Sequence, residues 1–223
     1  MPQIDDAPIE VVAFGWVPPF ARGHVRDLRV RWALEEIGLP YRTRLISARE
    51  RPPAYFREQP FGQVPAFHEG DVHIFESGAI VLHIAEKDER LLPHDTAGRA
   101  ETITWLISAL NSVEPYVMNI VTIDTFCAEQ DWAKLRREDA VALMERRLEQ
   151  LADALGDKPW LTGRFSVADI IMIDVLRNLD PEALTVPTAL TAYVARGMAR
   201  PAFKAALAAQ LADFIPDEGD TTP

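Results

Sequence analysis

The residues with the most chemical potential in this chain crowd one short stretch. Arg22, His24, Arg26, Arg29 and Arg31 fall within ten positions, with Asp27 the one acid among them. The whole chain carries a formal net charge of −11, so this stretch is where an anionic ligand finds local positive charge. For Arg29 and Arg31 the simpler reading is ion pairing with Glu35 and other surface acids. A second spot is Glu76-Ser77, where a strand passes into a helix. A hydroxyl beside the open amides of a helix N-terminus accepts a carboxylate, and Glu76 can meet an ammonium. Ser77 as an ordinary cap of its own helix fits the same residues. Between Ile9 and Pro40 there is no Ser, Thr, Tyr or Cys, so no side-chain hydroxyl or thiol stands ready there as a nucleophile. The single cysteine, Cys127, has no internal disulfide partner and sits in an apolar run. The histidines His68, His73, His83 and His94 lack metal-site spacing, and no metal is assigned.

The elements that must position these residues are legible as patterns. Ile9 to Phe14 is an apolar run of strand length, broken by Pro18-Pro19. The spacing of Leu28, Val30, Trp32, Leu34 and Ile37 predicts a helix opening near Gly23 and stopping at Gly38. Alternation from Tyr41 to Ile46 reads as a second strand. A weaker helical segment, Arg51 to Gln59, follows. Strands at Val64 to His68 and Val72 to Phe75 flank a tight Glu69-Gly70-Asp71 turn, and a helix from Ser77 to about Asp88 closes the set. Beyond Pro93 only helical periodicity remains. The expected organisation is therefore an α/β domain over 1–88 and an all-helical domain over 89–223, ending in a disordered acidic tail, 216–223.

Composition narrows the function classes. The acidic balance disfavours nucleic acid and anionic membranes as partners. No apolar run approaches the length that spans a bilayer, and the N-terminus lacks a basic and apolar leader, so a soluble, cytoplasmic protein is expected.

Four segments occur in fixed order: LRVRWALEEIGLPYR, QPFGQVPAF, FESGAIVLHI and FSVADIIM. Together they resemble the glutathione transferase family over essentially the whole chain. The resemblance implies a thioredoxin-like N-terminal domain that binds glutathione and an all-α C-terminal domain that supplies the second substrate's pocket. It implies a cis peptide at Val64-Pro65, with the Val64 backbone offered as an added strand to the cysteinyl part of glutathione; Pro65 opening an edge strand is the plainer alternative. It assigns the γ-glutamyl end to Glu76 and Ser77, and contacts with the ligand backbone to Gln63, unless Gln63 is simply a surface residue.

The family's catalytic Ser, Tyr or Cys has no counterpart here, and the matching position falls at about His24. A free thiol with pKa near ~8.5 still needs stabilising as thiolate, at ~1.4 kcal/mol per unit of lowering. Arg22, His24 and Arg26, with the amides of the first helix, are the candidates. Trp16, Trp105, Asn111, Tyr116 and Met118 are candidates for the electrophile pocket, with Trp16 equally suited to a core. Ser166 to Asp169 has the spacing of a capping box that folds the most buried helix. The resemblance further implies a homodimer, using the helix after Pro93 and the hairpin side of the first domain. Three activities remain open: conjugation of glutathione to a small electrophile, glutathione-dependent reduction of disulfides or peroxides, and non-catalytic ligand binding.

Overall fold

The computed structural model describes residues 3–215. The expected tail disorder, 216–223, lies outside them. Strands β1 (Ile9–Phe14), β2 (Tyr41–Ile46), β3 (Ala66–Glu69) and β4 (Val72–Phe75) form one sheet in the order β2-β1-β3-β4. β1 and β2 run parallel, as the crossover through helix α1 (Asp27–Ile37) requires, and β3 and β4 add antiparallel to β1. Helix α2 (Ser77–Ala85) completes the α/β arrangement, which is the thioredoxin-like class implied by the resemblance. The remaining helices are α3 (Thr96–Ser108), α4 (Glu114–Val121), α5 (Asp131–Leu155), α6 (Val167–Leu176), α7 (Thr188–Met198) and α8 (Pro201–Ala212).

β3 begins at Ala66 rather than at the expected Val64, and two further elements differ from the sequence reading, each for a local reason. α1 starts at Asp27 rather than near Gly23. Gly23 takes φ +81°, a left-handed conformation that ends the short 3-10 turn Pro19–Ala21 and cannot continue a right-handed helix. Arg22, His24 and Arg26 therefore sit on the approach to α1, not within it. The Arg51 to Gln59 segment is a single 3-10 helix, Pro53–Arg57, because Pro52 and Pro53 remove two donors at its start.

The contacts divide the chain into two compact units, residues 1–88 with 200–223, and residues 89–199. Helix α8, read from sequence as part of the helical domain, packs along α1 instead. Its attachment is extensive. The Arg200 guanidinium donates twice to the Glu36 carboxylate, at 2.6 and 2.7 Å. Trp32 and Phe203 meet edge to face at 4.9 Å. Gln210 Nε2 donates to Asp27 Oδ1 and to the Val25 carbonyl. Arg31, fully buried, is held between Asp27 (2.8 Å) and Asp213 (2.7 Å). Burial acts to lower its pKa, but the two carboxylates outweigh that and keep it charged. The sequence reading had paired Arg31 with surface acids such as Glu35; its partners are these two acids, against α8.

In the helical unit, α6 is buried on every face and opens with the capping box expected at Ser166 and Asp169. Asp169 accepts from Ser166 N (2.9 Å), Ser166 Oγ (3.0 Å), Leu161 N (3.0 Å) and the Tyr193 hydroxyl (2.8 Å). One correction concerns the apolar runs. The continuous helical stretch Thr96–Phe126, in which two wide turns link α3 through α4, is long and apolar enough by length and composition to cross a membrane, with a mean hydropathy of 1.2 in its best window. Core helices of soluble proteins pass the same test. Leu106, Ala109, Val113, Val117 and Ile120 of this stretch are buried within their own unit, and Thr102, Asn111 and Glu114 interrupt it.

Candidate functional site

Three backbone features of the first unit come together around α1. The first is the loop from Gln59 to Val64. The Gln59 side chain is buried and its Oε1 accepts from the amides of Phe61 (2.7 Å) and Gln63 (3.1 Å). The Tyr55 hydroxyl donates to the Gln63 carbonyl at 2.6 Å, and Arg51 Nε donates to the Gly62 carbonyl at 3.0 Å. Burial, with help from the nearby Glu58 charge, pushes the Tyr55 hydroxyl up to about 12, so it stays protonated as a donor. Gly62 takes φ +64°, a left-handed torsion that calls for glycine. The loop delivers Val64 and Pro65, joined by a cis peptide, just ahead of the β3 ladder that begins at Ala66. Gln63 projects into solvent.

The second feature is the start of α2. Ser77 is buried and its Oγ accepts from Arg29 Nη1 at 3.1 Å. Arg29 is itself 2% exposed, which places a guanidinium inside the domain beside this helix start. Glu76, immediately before, has φ +71° and is the one non-glycine residue with positive φ among those described. Such a conformation costs on the order of 1–3 kcal/mol and persists where the surroundings fix it, typically at ligand clamps. The Glu76 side chain is exposed.

The third feature is the approach to α1. Val25 packs on the apolar cluster of Val12, Ile46, Tyr55, Val64 and Ala66, which brings this approach beside Val64. His24 is exposed, and Arg22 and Arg26 are half-buried. The first-turn amides of Leu28 and Arg29 already donate to the Val25 and Arg26 carbonyls, at 3.1 and 3.2 Å. Fewer helix-start amides are thus open to an anion than the sequence reading supposed.

Trp16 lies past the end of β1, half-buried, with the Arg49 guanidinium 4.1 Å over its ring. Trp105 on α3 and Tyr116 on α4 are half-buried in the helical unit, where Arg147 Nη2 donates to the Tyr116 hydroxyl at 3.2 Å. Asn111 is exposed and Met118 half-buried in the same stretch.

Residues 20–86 match the family model described as the N-terminal domain of glutathione S-transferase. The glutathione S-transferase GstA of Escherichia coli O157:H7 is 30% identical over 166 residues, 70% of this chain and 78% of that protein. The chain belongs to the glutathione transferase family. The disulfide-bond oxidoreductase YfcG of Escherichia coli K12 is 28% identical over 168 residues, 68% of this chain and 73% of that protein. A glutathione transferase family member from Pseudomonas fluorescens Pf-5, solved with two glutathione molecules bound, superposes with a TM-score of 0.80 at 26% identity, covering 91% of this chain and 94% of that one.

Within this member of the family, sequence reasoning missed Arg29, Tyr55 and Gln59. Arg29 was assigned to surface ion pairs. Its position two residues before Arg31 on an otherwise apolar helix face was the available signal that it is interior. Gln59 and Tyr55 act through backbone groups of a loop, and nothing in their spacing announces that.

Proposed function

We propose that the protein joins glutathione to a small electrophile. The observation that carries this reading is the Arg29-to-Ser77 hydrogen bond beside the positive φ of Glu76, which together fix one hydroxyl and a bent backbone at a helix start. The Ser77 hydroxyl and the α2 amides take the γ-glutamyl carboxylate, and Glu76 takes the ammonium. The Val64 backbone pairs with the cysteinyl segment as a short added strand, with Pro65 and Gln63 flanking it. The sulfur then lies toward Val25 and the approach to α1. Because the Leu28 and Arg29 amides are engaged, more of the thiolate's stabilisation falls to Arg22, His24 and Arg26. The thiolate attacks the electrophilic carbon, a C–S bond forms as the bond to the leaving group breaks, and the thiol proton leaves to solvent.

Glutathione-dependent disulfide reduction is the second reading. It is favoured by the lack of a side-chain hydroxyl or thiol between Ile9 and Pro40 and by the likeness to a disulfide-bond oxidoreductase. There the thiolate attacks a disulfide sulfur and a thiolate departs. The proposal includes a cytoplasmic homodimer, checked by light scattering of the purified chain.

Calorimetric titration with glutathione, paired with ultraviolet absorption of the bound thiolate, tests the site. No binding at millimolar ligand sinks both readings in favour of non-catalytic binding of some other molecule. Rates with aryl chlorides and epoxides against mixed disulfides separate the two. Arg22→Ala and His24→Ala are expected to lower kcat by about tenfold or more with little change in glutathione affinity. Unchanged rates in both assign the thiolate to backbone amides.

A further inference from the structure

A cavity of about 370 Å³ opens in the first unit past the ends of β1 and β2. Trp16, Leu45, Ile46, Ser47, Arg49 and Ile215 line it. Ile46 also belongs to the cluster that holds Val64 and Val25, so the cavity borders the glutathione site proposed above. Its volume suits a ligand of one or two rings.

The polar groups facing it have one character. Arg49 brings a guanidinium, stacked at 4.1 Å on Trp16. Ser47 Oγ already accepts from the amides of Arg49 and Glu50, at 3.2 and 3.1 Å, so its remaining capacity includes the O–H as donor. The Trp16 ring, beneath Arg49, completes the wall. No carboxylate lines the cavity among the described residues, although the chain as a whole carries an excess of acids. The apolar wall is Leu45, Ile46 and Ile215.

We propose that this cavity binds a planar organic acid, its carboxylate taken by Arg49 and Ser47 and its ring laid against Leu45, Ile46 and Ile215. Resting on the glutathione reading, the acid is the second substrate, an aromatic electrophile recognised by its carboxylate. With an activated aryl chloride the sulfur forms a bond to the ring carbon that carries chlorine, and chloride leaves.

The probe pair is 4-chloro-3-nitrobenzoate and 4-chloro-3-nitrobenzamide, which differ in charge and little in shape. Titration calorimetry on the intact chain should give at least about tenfold tighter binding of the acid than of the amide, a difference of ~1.4 kcal/mol. Arg49→Gln should bring the acid to the amide's affinity. Ser47→Ala, which deletes the hydroxyl donor, should weaken the acid severalfold while changing the amide's affinity less. Equal affinities for acid and amide, or an acid affinity untouched by Arg49→Gln in a folded variant, overturn the acid site. Acid binding of the expected kind with no product in the presence of glutathione upholds the acid site and overturns only the glutathione reading. Turnover of both probes with no preference does the reverse.

Discussion

Arg29 and Arg31 stand two residues apart on α1, and both are buried, yet they point the molecule in different directions. Arg31 faces α8 and is enclosed by Asp27 and Asp213, a charge matched by charge. Arg29 faces α2 and donates to the neutral hydroxyl of Ser77. The two carboxylates outweigh burial for Arg31, whereas burial still raises the Asp27 carboxyl above its usual value despite Arg31 and Gln210, so the cluster holds only while its members stay together. The Arg29 guanidinium lies at the helix start proposed above to receive a ligand's carboxylate. On that proposal one helix has a face that holds the domain and a face that serves a site.

The strongest way to break this contrast is Arg31→Met. It leaves Asp27 buried without its cation, an imbalance worth roughly 3–5 kcal/mol, and should lower the thermal midpoint by roughly 10 °C. A midpoint near wild type dissolves the distinction between the two faces. Next in size is Asp169→Ala in the helical unit, which strands the donors of Leu161, Ser166 and Tyr193 and should cost about 3 kcal/mol while glutathione affinity in the folded protein holds. Lost turnover at unchanged thermal stability would assign Asp169 to chemistry and contradict its structural role. Smaller again are Ser77→Ala and Arg29→Met. Each should raise the glutathione Kd by about tenfold, and the double variant should be no worse than the poorer single one, because the two act as a unit. If Arg29→Met destabilises the fold as much as Arg31→Met, Arg29 belongs with the holding face.

The smallest effect expected is at Glu10, on the sheet. Burial alone would raise its pKa, but hydrogen bonds and charge from Arg44 and Arg42 reverse that and leave it below the usual carboxylate value. Its stabilising contribution is present above the unfolded value and is lost as pH falls through the lower folded one. Near-surface pairs contribute only ~0–1 kcal/mol, so acid melts of Glu10→Gln should converge with wild type at low pH and sit slightly below it at neutrality. Parallel curves at all pH values rule out this pairing as a source of acid sensitivity.

Elements whose information is local were legible from sequence. β1, β2 and β4 have the expected limits because their apolar runs end at prolines, glycines and turns. The capping box at Ser166 and Asp169 is readable because its partners are three residues apart. The beginning of α1 was misjudged because a left-handed glycine overrides the apolar period that continues across it. The docking of α8 on α1 was invisible because it depends on pairs such as Gln210 with Asp27, 183 positions apart. The glutathione-site candidates came from family motifs, whereas Arg29 needed a burial that no pattern in one sequence supplies.

The fastening of α8 along α1 also orders events at the ribosome. Residues 1–88 emerge with Trp32, Arg31 and Asp27 still lacking the surface that will cover them, and that surface is made by Phe203, Gln210 and Asp213, more than 170 positions later. A chain stopped short of α8 therefore leaves Arg31 and Trp32 uncovered, however completely the strands ahead of them have formed.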